Sequence, residues 1–222
     1  MIFWILLFIL VVVISFLLAY LSMRNFQEAP TSQDKDYGLF LIRKTVNLTP
    51  SLLSDFHQKM LKENFILSFE RLFKGNQSTL VIFAPRKLIQ SYVVILDLVE
   101  LEEYTNVDSA KTLVFQMGSK QKGQVGSLDN FFAEFPDLSA DEFIWWQLIL
   151  HAKKNGEFEI LPRVAFSAKE KAFQNLAGFL HKIPRPFSNE QMFKFYQNRV
   201  FAKGAHNLHL EKEAVLKLIL LG

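Results

Sequence analysis

The sequence predicts an α+β protein with one N-terminal transmembrane helix followed by ferredoxin-like (split βαβ) modules, two in tandem. Three observations predict it. Residues 1–23 carry no charged side chain. Beyond them, short alternating or β-rich runs are interleaved with amphipathic helical ones. From residue 37 to 106 the order of these runs is β-α-β-β-α-β, the split-βαβ arrangement, and residues 107–222 repeat it more loosely.

The apolar run is closed by Arg24. As a helix, Ile2 to Ser22 is roughly 30 Å long, the thickness of a bilayer's hydrocarbon core. No basic residue precedes the run, and it exceeds the ~7–15 residues of a signal-peptide core. Ala19-Tyr20-Leu21-Ser22 also puts bulky groups where cleavage needs small ones. An uncleaved anchor over 1–23 is therefore predicted. Arg24, Lys35, Arg43 and Lys44 follow the span and none precedes it. The positive-inside rule then predicts a single-pass protein of the inner or plasma membrane with its C-terminal domain in the cytoplasm. The absence of cysteine fits a reducing compartment.

Residues 24–36 read as a polar linker. In the first module, 37–106, Tyr37–Val46 is β-rich. Thr49-Pro50 starts a helix, Thr as N-cap and Pro at the first position, with Leu53, Phe56, Met60 and Leu61 on one face and His57 at its edge. Phe65–Phe73 alternates, placing Phe65, Leu67, Phe69 and Phe73 on one side and Ser68 and Glu70 on the other. A turn at Lys74-Gly75-Asn76-Gln77 makes a hairpin with Thr79–Ala84. Pro85 opens a helix to about Leu98, and Val99–Thr105 is a fourth strand.

In the second module, 107–222, Thr112–Met117 is a strand, Gly118–Gly126 a loop and Leu128–Phe135 a short helix. Phe143–Ala152 and Phe158–Phe166 flank a turn at Asn155-Gly156. Lys169–Ile183 is an amphipathic helix. Ser188-Asn189-Glu190-Gln191 is a capping box opening a helix to about Phe201. Asn207–Leu210 is a last strand, and Glu211–Leu221 a last helix with Ala214, Val215, Leu218 and Ile219 inward.

All 25 Lys and Arg and all 22 Asp and Glu lie beyond the apolar run, giving the remaining residues a net charge of +3. That is mildly basic and without a dense Lys/Arg run, so nucleic-acid contact through scattered Lys and Arg is a minor expectation. Zero cysteine excludes disulfides, thiol nucleophiles and Cys-based zinc sites. The glycine-rich stretch Gly118–Gly126 lacks the Gly-Lys-Ser/Thr order of a P-loop. His206-Asn207-Leu208-His209 has no acidic partner pattern that suggests zinc. Lys74-Gly75 is followed by Asn76, not by the aromatics of an RNA-recognition strand. The alternation Val99-Glu100-Leu101-Glu102 reads as a solvated strand face, and no serine sits in a nucleophile elbow. Trp145-Trp146 is the conspicuous aromatic pair. Adjacent strand residues point to opposite faces, so one ring is expected in the core; the other is placed to meet a partner or neighbouring half, but coverage of both by the fold's own helices is the favoured reading. The sequence assigns no catalytic, cofactor-binding or metal-ligating residue.

Several short motifs carry a family resemblance. They are Leu39-Phe40-Leu41-Ile42-Arg43, Phe69-Glu70-Arg71-Leu72, Val99-Glu100-Leu101-Glu102-Glu103-Tyr104-Thr105, Trp145-Trp146-Gln147-Leu148-Ile149-Leu150 and Leu210-Glu211-Lys212-Glu213-Ala214-Val215. Together, over roughly residues 37 to 221, the chain resembles the N-terminal, non-motor region of membrane-associated conjugation and type IV secretion ATPases of the HerA–FtsK class. The resemblance implies paired α+β modules ahead of a P-loop motor. No Walker motif is present, so none of the family's catalytic residues transfers to a position here. What it implies is a non-catalytic, membrane-anchored scaffold docking a separate motor ATPase or a secretion-channel subunit, with the membrane and such proteins as partners. The alternative is a membrane-bound enzyme using His151 or the acidic group from Asp137 to Glu142.

Overall fold

The computed structural model describes residues 2–24, 36–116, 138–167, 188–201 and 207–220. The expected loop at Gly118–Gly126 and the helices at Leu128–Phe135 and Lys169–Ile183 lie outside the described residues, as do Asp137, His181, His206 and nearly all of the linker.

A helix does form at the N-terminus, α1 (Ile2–Arg24), and its described apolar side chains are mostly exposed, Phe16 by 74%. The expected transmembrane span is nevertheless corrected: among the described residues no helix is long and apolar enough to cross a membrane. The helix is therefore assigned neither as a transmembrane segment nor as a signal anchor.

The α+β class stands, but the two tandem modules become one sheet. Its strands are β1 (Tyr37–Ile42), β2 (Leu67–Lys74), β3 (Gln77–Pro85), β4 (Leu98–Leu101), β5 (Leu113–Gln116), β6 (Phe143–Ala152), β7 (Phe158–Ser167) and β8 (Leu208–Leu210). All pair antiparallel in the order β4-β1-β3-β2-β6-β7-β5, with β8 also on β7. The first four strands keep split-βαβ connectivity. Their outer strand β2 then pairs β6 from Leu67↔Leu150 to Lys74↔Phe143. An unpaired β2 would present a long apolar edge, and β6 removes it.

The second half departs from the expected module at β7. Its free edge is shared: β5 pairs Arg163–Phe166 and β8 pairs Phe158–Ile160. β5 has four residues, too few to run the length of β7, so β8 reaches β7 directly instead of pairing β5.

Local signals explain the helices. In α2 (Pro50–Glu63) the Thr49 hydroxyl accepts from the Leu52 amide at 3.2 Å. Leu53, Phe56 and Met60 are buried as expected, and His57 with them, whereas Leu61 is 42% exposed. The helix expected from Pro85 to Leu98 is two short pieces, α3 (Arg86–Ile89) and α4 (Val93–Leu96). The run Val93-Val94-Ile95 is β-branched, which weakens helix propagation, and Asp97 ends α4 in the left-handed region at φ 50°. The Ser188 capping box is present on α5 (Asn189–Gln197), which stops before Phe201 because Arg199 also turns left-handed, φ 48°. The last helix is α6 (Lys212–Leu220).

One face of the sheet packs Phe40, Leu67, Phe69, Ile82, Trp146, Leu148 and Leu150 against Phe56 and Met60 of α2, Leu88, Leu96 and Leu218 of α6. On the other face Val114, Trp145 and Ala165 pack under Met192, Phe193 and Tyr196 of α5. The β6–β7 turn needs Gly156, at φ +89°. Gly156→Ala should cost about 1 kcal/mol, a drop in melting midpoint of about 2–4 °C. An unchanged melting curve would show that the turn relaxes freely.

Candidate functional site

Charged side chains converge beneath α5, and the sheet places them there. Glu70 on β2, Gln147 on β6 and Arg163 on β7 stand directly opposite one another across three strands, and none of the three is exposed. Glu70 is saturated. Its Oε1 accepts from Ser68 Oγ (2.9 Å), Gln147 Nε2 (3.0 Å) and Arg199 Nε (3.0 Å). Its Oε2 accepts from Tyr104 (2.7 Å) and Arg199 Nη2 (3.2 Å). The Arg199 guanidinium also donates to both oxygens of Glu103 and lies 4.4 Å from the centre of the Phe83 ring. Tyr104 and Tyr196 share a hydrogen bond at 2.9 Å.

Burial and charge set the protonation states. Burial works to discharge Arg199, but Glu70, Tyr104 and Glu103 together outweigh it and raise its pKa well above the usual range. Burial raises Tyr104 and Tyr196 well above an ordinary phenol, with Glu70 adding to both. Burial also opposes ionisation of Glu103, yet hydrogen bonds from Arg199 hold its pKa below that of an ordinary carboxyl. Both phenols therefore stay protonated near neutral pH, and both Glu70 oxygens are taken up by hydrogen bonds within the fold.

Arg163 is held differently. It donates to the carbonyls of Phe195 (2.9 Å) and Val200 (2.7 Å), at and beyond the end of α5. The negative end of the helix dipole thus offsets its charge. Desolvation still lowers its pKa to about 9. Among the described residues its Nε and Gln147 Oε1, on facing residues, have no hydrogen-bond partner.

A smaller cluster lies along the same face, where Glu159 stands between His151 and His209 in the strand register. Glu159 accepts from Asn207 at 3.0 Å and pairs with Lys153, with His151 Nδ1 3.8 Å away. Burial would raise its pKa, but His151, Lys153 and Asn207 together bring it down to about 2. The pair therefore stabilises the fold above the unfolded carboxyl's pKa and loses that contribution as pH falls toward 2. Glu159→Gln should cost up to about 3 kcal/mol near neutral pH and nothing near pH 2, read as urea midpoints for the two proteins across that range. A difference that does not change with pH would show that Glu159 acts through shape alone.

Of the residues that the enzyme alternative names, Asp137 lies outside the described residues and the others stand apart. His151 ends β6 at the edge opposite Glu142, and the two are separated by the length of the strand, roughly 30 Å. Glu142 and Asp141 are occupied by the amide and hydroxyl of Ser139. His57 borders an open hollow of about 350 Å³, lined also by Ser54, Gln58, Glu157, Glu211 and Glu213. Its Nε2 donates to the Glu157 carbonyl at 3.0 Å, so it secures α2 to the β6–β7 turn. Among the described residues no group of three His, Asp or Glu could hold a metal ion. Trp145 and Trp146 are both covered by the fold. Trp146 is in the main core, and Trp145 stacks on Phe143 (3.9 Å between centroids) beneath Tyr196, with Tyr104 edge-on at 4.6 Å.

The surface has one concentration that sequence reasoning missed. Outside α1, the large apolar side chains exposed among the described residues are Val46, Leu61, Val93, Val94, Ile95 and Leu220. Four of these belong to two touching turns at the β1–β4 end of the sheet. The first is a 3-10 turn, Thr45–Asn47, and the second is α4. The Asn47 side chain donates to the Ile95 carbonyl at 2.6 Å, and the Lys44 amide to that of Leu96 at 3.1 Å. No family model matches this chain, and no curated protein matches it. The resemblance to secretion and conjugation ATPases accordingly gains no support from relatives.

Proposed function

We propose that the protein is a non-catalytic interaction module that docks another protein. The observation that carries this reading is the division of its side chains. The central ion pair of the charged cluster is sealed in the sheet, with Glu70 and Arg199 0% and 2% exposed and only Glu103 at its border reaching the surface, whereas apolar side chains are presented at the surface at one corner. A substrate cannot reach the Glu70–Arg199 pair, and solvated apolar side chains gathered in one place favour a partner. Following the resemblance of its motifs, a separate P-loop motor ATPase or a channel subunit of a secretion or DNA-transfer system is the partner to test first.

The test is purification of the tagged full-length protein from native cells in mild detergent, with mass spectrometry of what co-elutes. Stoichiometric enrichment of a motor or channel subunit is expected. Recovery of the protein by itself would overturn the reading and redirect attention to ligands of the hollow beside His57.

A further inference from the structure

We infer that the corner built by Thr45–Asn47 and Val93–Leu96 is the docking surface, and that it takes an acidic, amphipathic segment of a partner protein. The inference rests on the interaction-module reading above and names the surface and the chemistry of what it holds.

The corner is fixed in place. Leu48, Tyr92 and Leu96, which flank or lie within the two turns, are 3%, 3% and 0% exposed, so the turns are pinned to the core from beneath. The Asn47–Ile95 and Lys44–Leu96 hydrogen bonds join them edge to edge. Val46 and Val94 are thereby held 83% and 85% exposed, with no turn free to fold them inward. A surface already ordered loses little conformational freedom when a partner binds.

Its charge indicates the partner. Arg43 and Lys44 lead directly into the first turn and are exposed. Among the described residues neither has an ion pair, whereas Arg86 on the neighbouring helix is matched to both Asp36 and Glu100. Asp97, half-buried beside Leu96, is outnumbered by the two cations. Valine and isoleucine anchors beside two unmatched cations complement a segment with apolar residues on one face and carboxylates at its margin. A lipid surface fits less well, because headgroup-binding patches gather about four to eight basic residues and set aromatic rings at the interface. Here there are two cations and no ring.

The experiment places a photocrosslinker in the full-length chain in native cells, as Val94→p-benzoylphenylalanine, and sequences the crosslinked peptide. A second probe at exposed Lys154, in the β6–β7 turn beyond β3 and β2 from the corner, serves as comparison. The expected result is a crosslink from Val94 to a net-acidic, amphipathic peptide of another protein, with the yield falling roughly tenfold when Arg43→Glu and Lys44→Glu are added. A crosslink from Val94 to lipid, to a second copy of this chain, or to a neutral or basic peptide would overturn the inference, as would indifference to the charge reversals. Protein crosslinks from Lys154 but not Val94 would reject this corner and leave the interaction-module reading intact. No protein crosslink from either position would reject both.

Discussion

Arg199→Met should lower the stability of the fold by about 3–5 kcal/mol, because it leaves a buried carboxylate without its counter-charge. Glu70 is wholly buried and takes two of its five hydrogen bonds from Arg199. The three that remain come from neutral groups, Ser68, Gln147 and Tyr104, which cannot replace a positive charge in a low-dielectric interior. Glu103 loses the same partner but is partly exposed, so water makes up more of its loss. The sharper expectation concerns the double variant. Glu70→Leu with Arg199→Met removes both charges and should recover most of the loss, because an apolar pair of similar size carries no desolvation cost. Guanidinium midpoints for the wild type, both single variants and the double variant close the cycle. If Arg199→Met costs under about 1 kcal/mol, the network is not sealed from water and the charged groups beneath α5 become candidates for chemistry again.

Trp145→Ala and Trp146→Ala should each cost about 3–5 kcal/mol. The two rings face opposite sides of β6 and are 7% and 1% exposed. Trp146 fills the core between the sheet and α2, and Trp145 fills the smaller core under α5. A ring reserved for an external partner would be nearly free to remove from the isolated protein. Similar losses for the two variants in thermal or denaturant unfolding are therefore what the packing demands, and a small loss at Trp145 alone would return that ring to the surface.

What could be read from the sequence was local. Thr49-Pro50, the Ser188–Gln191 box and Asn155-Gly156 each act over a few residues, and the structure uses each of them there. Long-range pairings left no such trace. Glu70 read as the outward side of an alternating strand because Arg199, the residue that makes its burial tolerable, lies 129 positions away. The periodicity of β2 gave one buried face, and the structure buries Ser68 and Glu70 as well, since α5 and Tyr104 arrive from the second half. The corner was hidden for a different reason. Val93, Val94 and Ile95 read as part of one continuous helix from Pro85 to Leu98, and the structure breaks it into α3 and α4 and leaves them exposed. The second split-βαβ module failed because strand length, which patterning gives poorly, decides whether β8 meets β5 or β7.

The seam between β2 and β6 also sets an order of events when the chain is made. Its partners are roughly 70 to 80 residues apart, so the seam cannot close early, and loop closure over that distance slows folding. On a ribosome adding about 5–20 residues per second, β2 emerges about 4–15 s before β6 is available. During that interval the first four strands can assemble with β2 as an open, apolar border. A nascent chain of this protein thus carries a temporary adhesive edge, and chaperone occupancy or co-translational aggregation should peak between the synthesis of the two strands and end when β6 zips onto it.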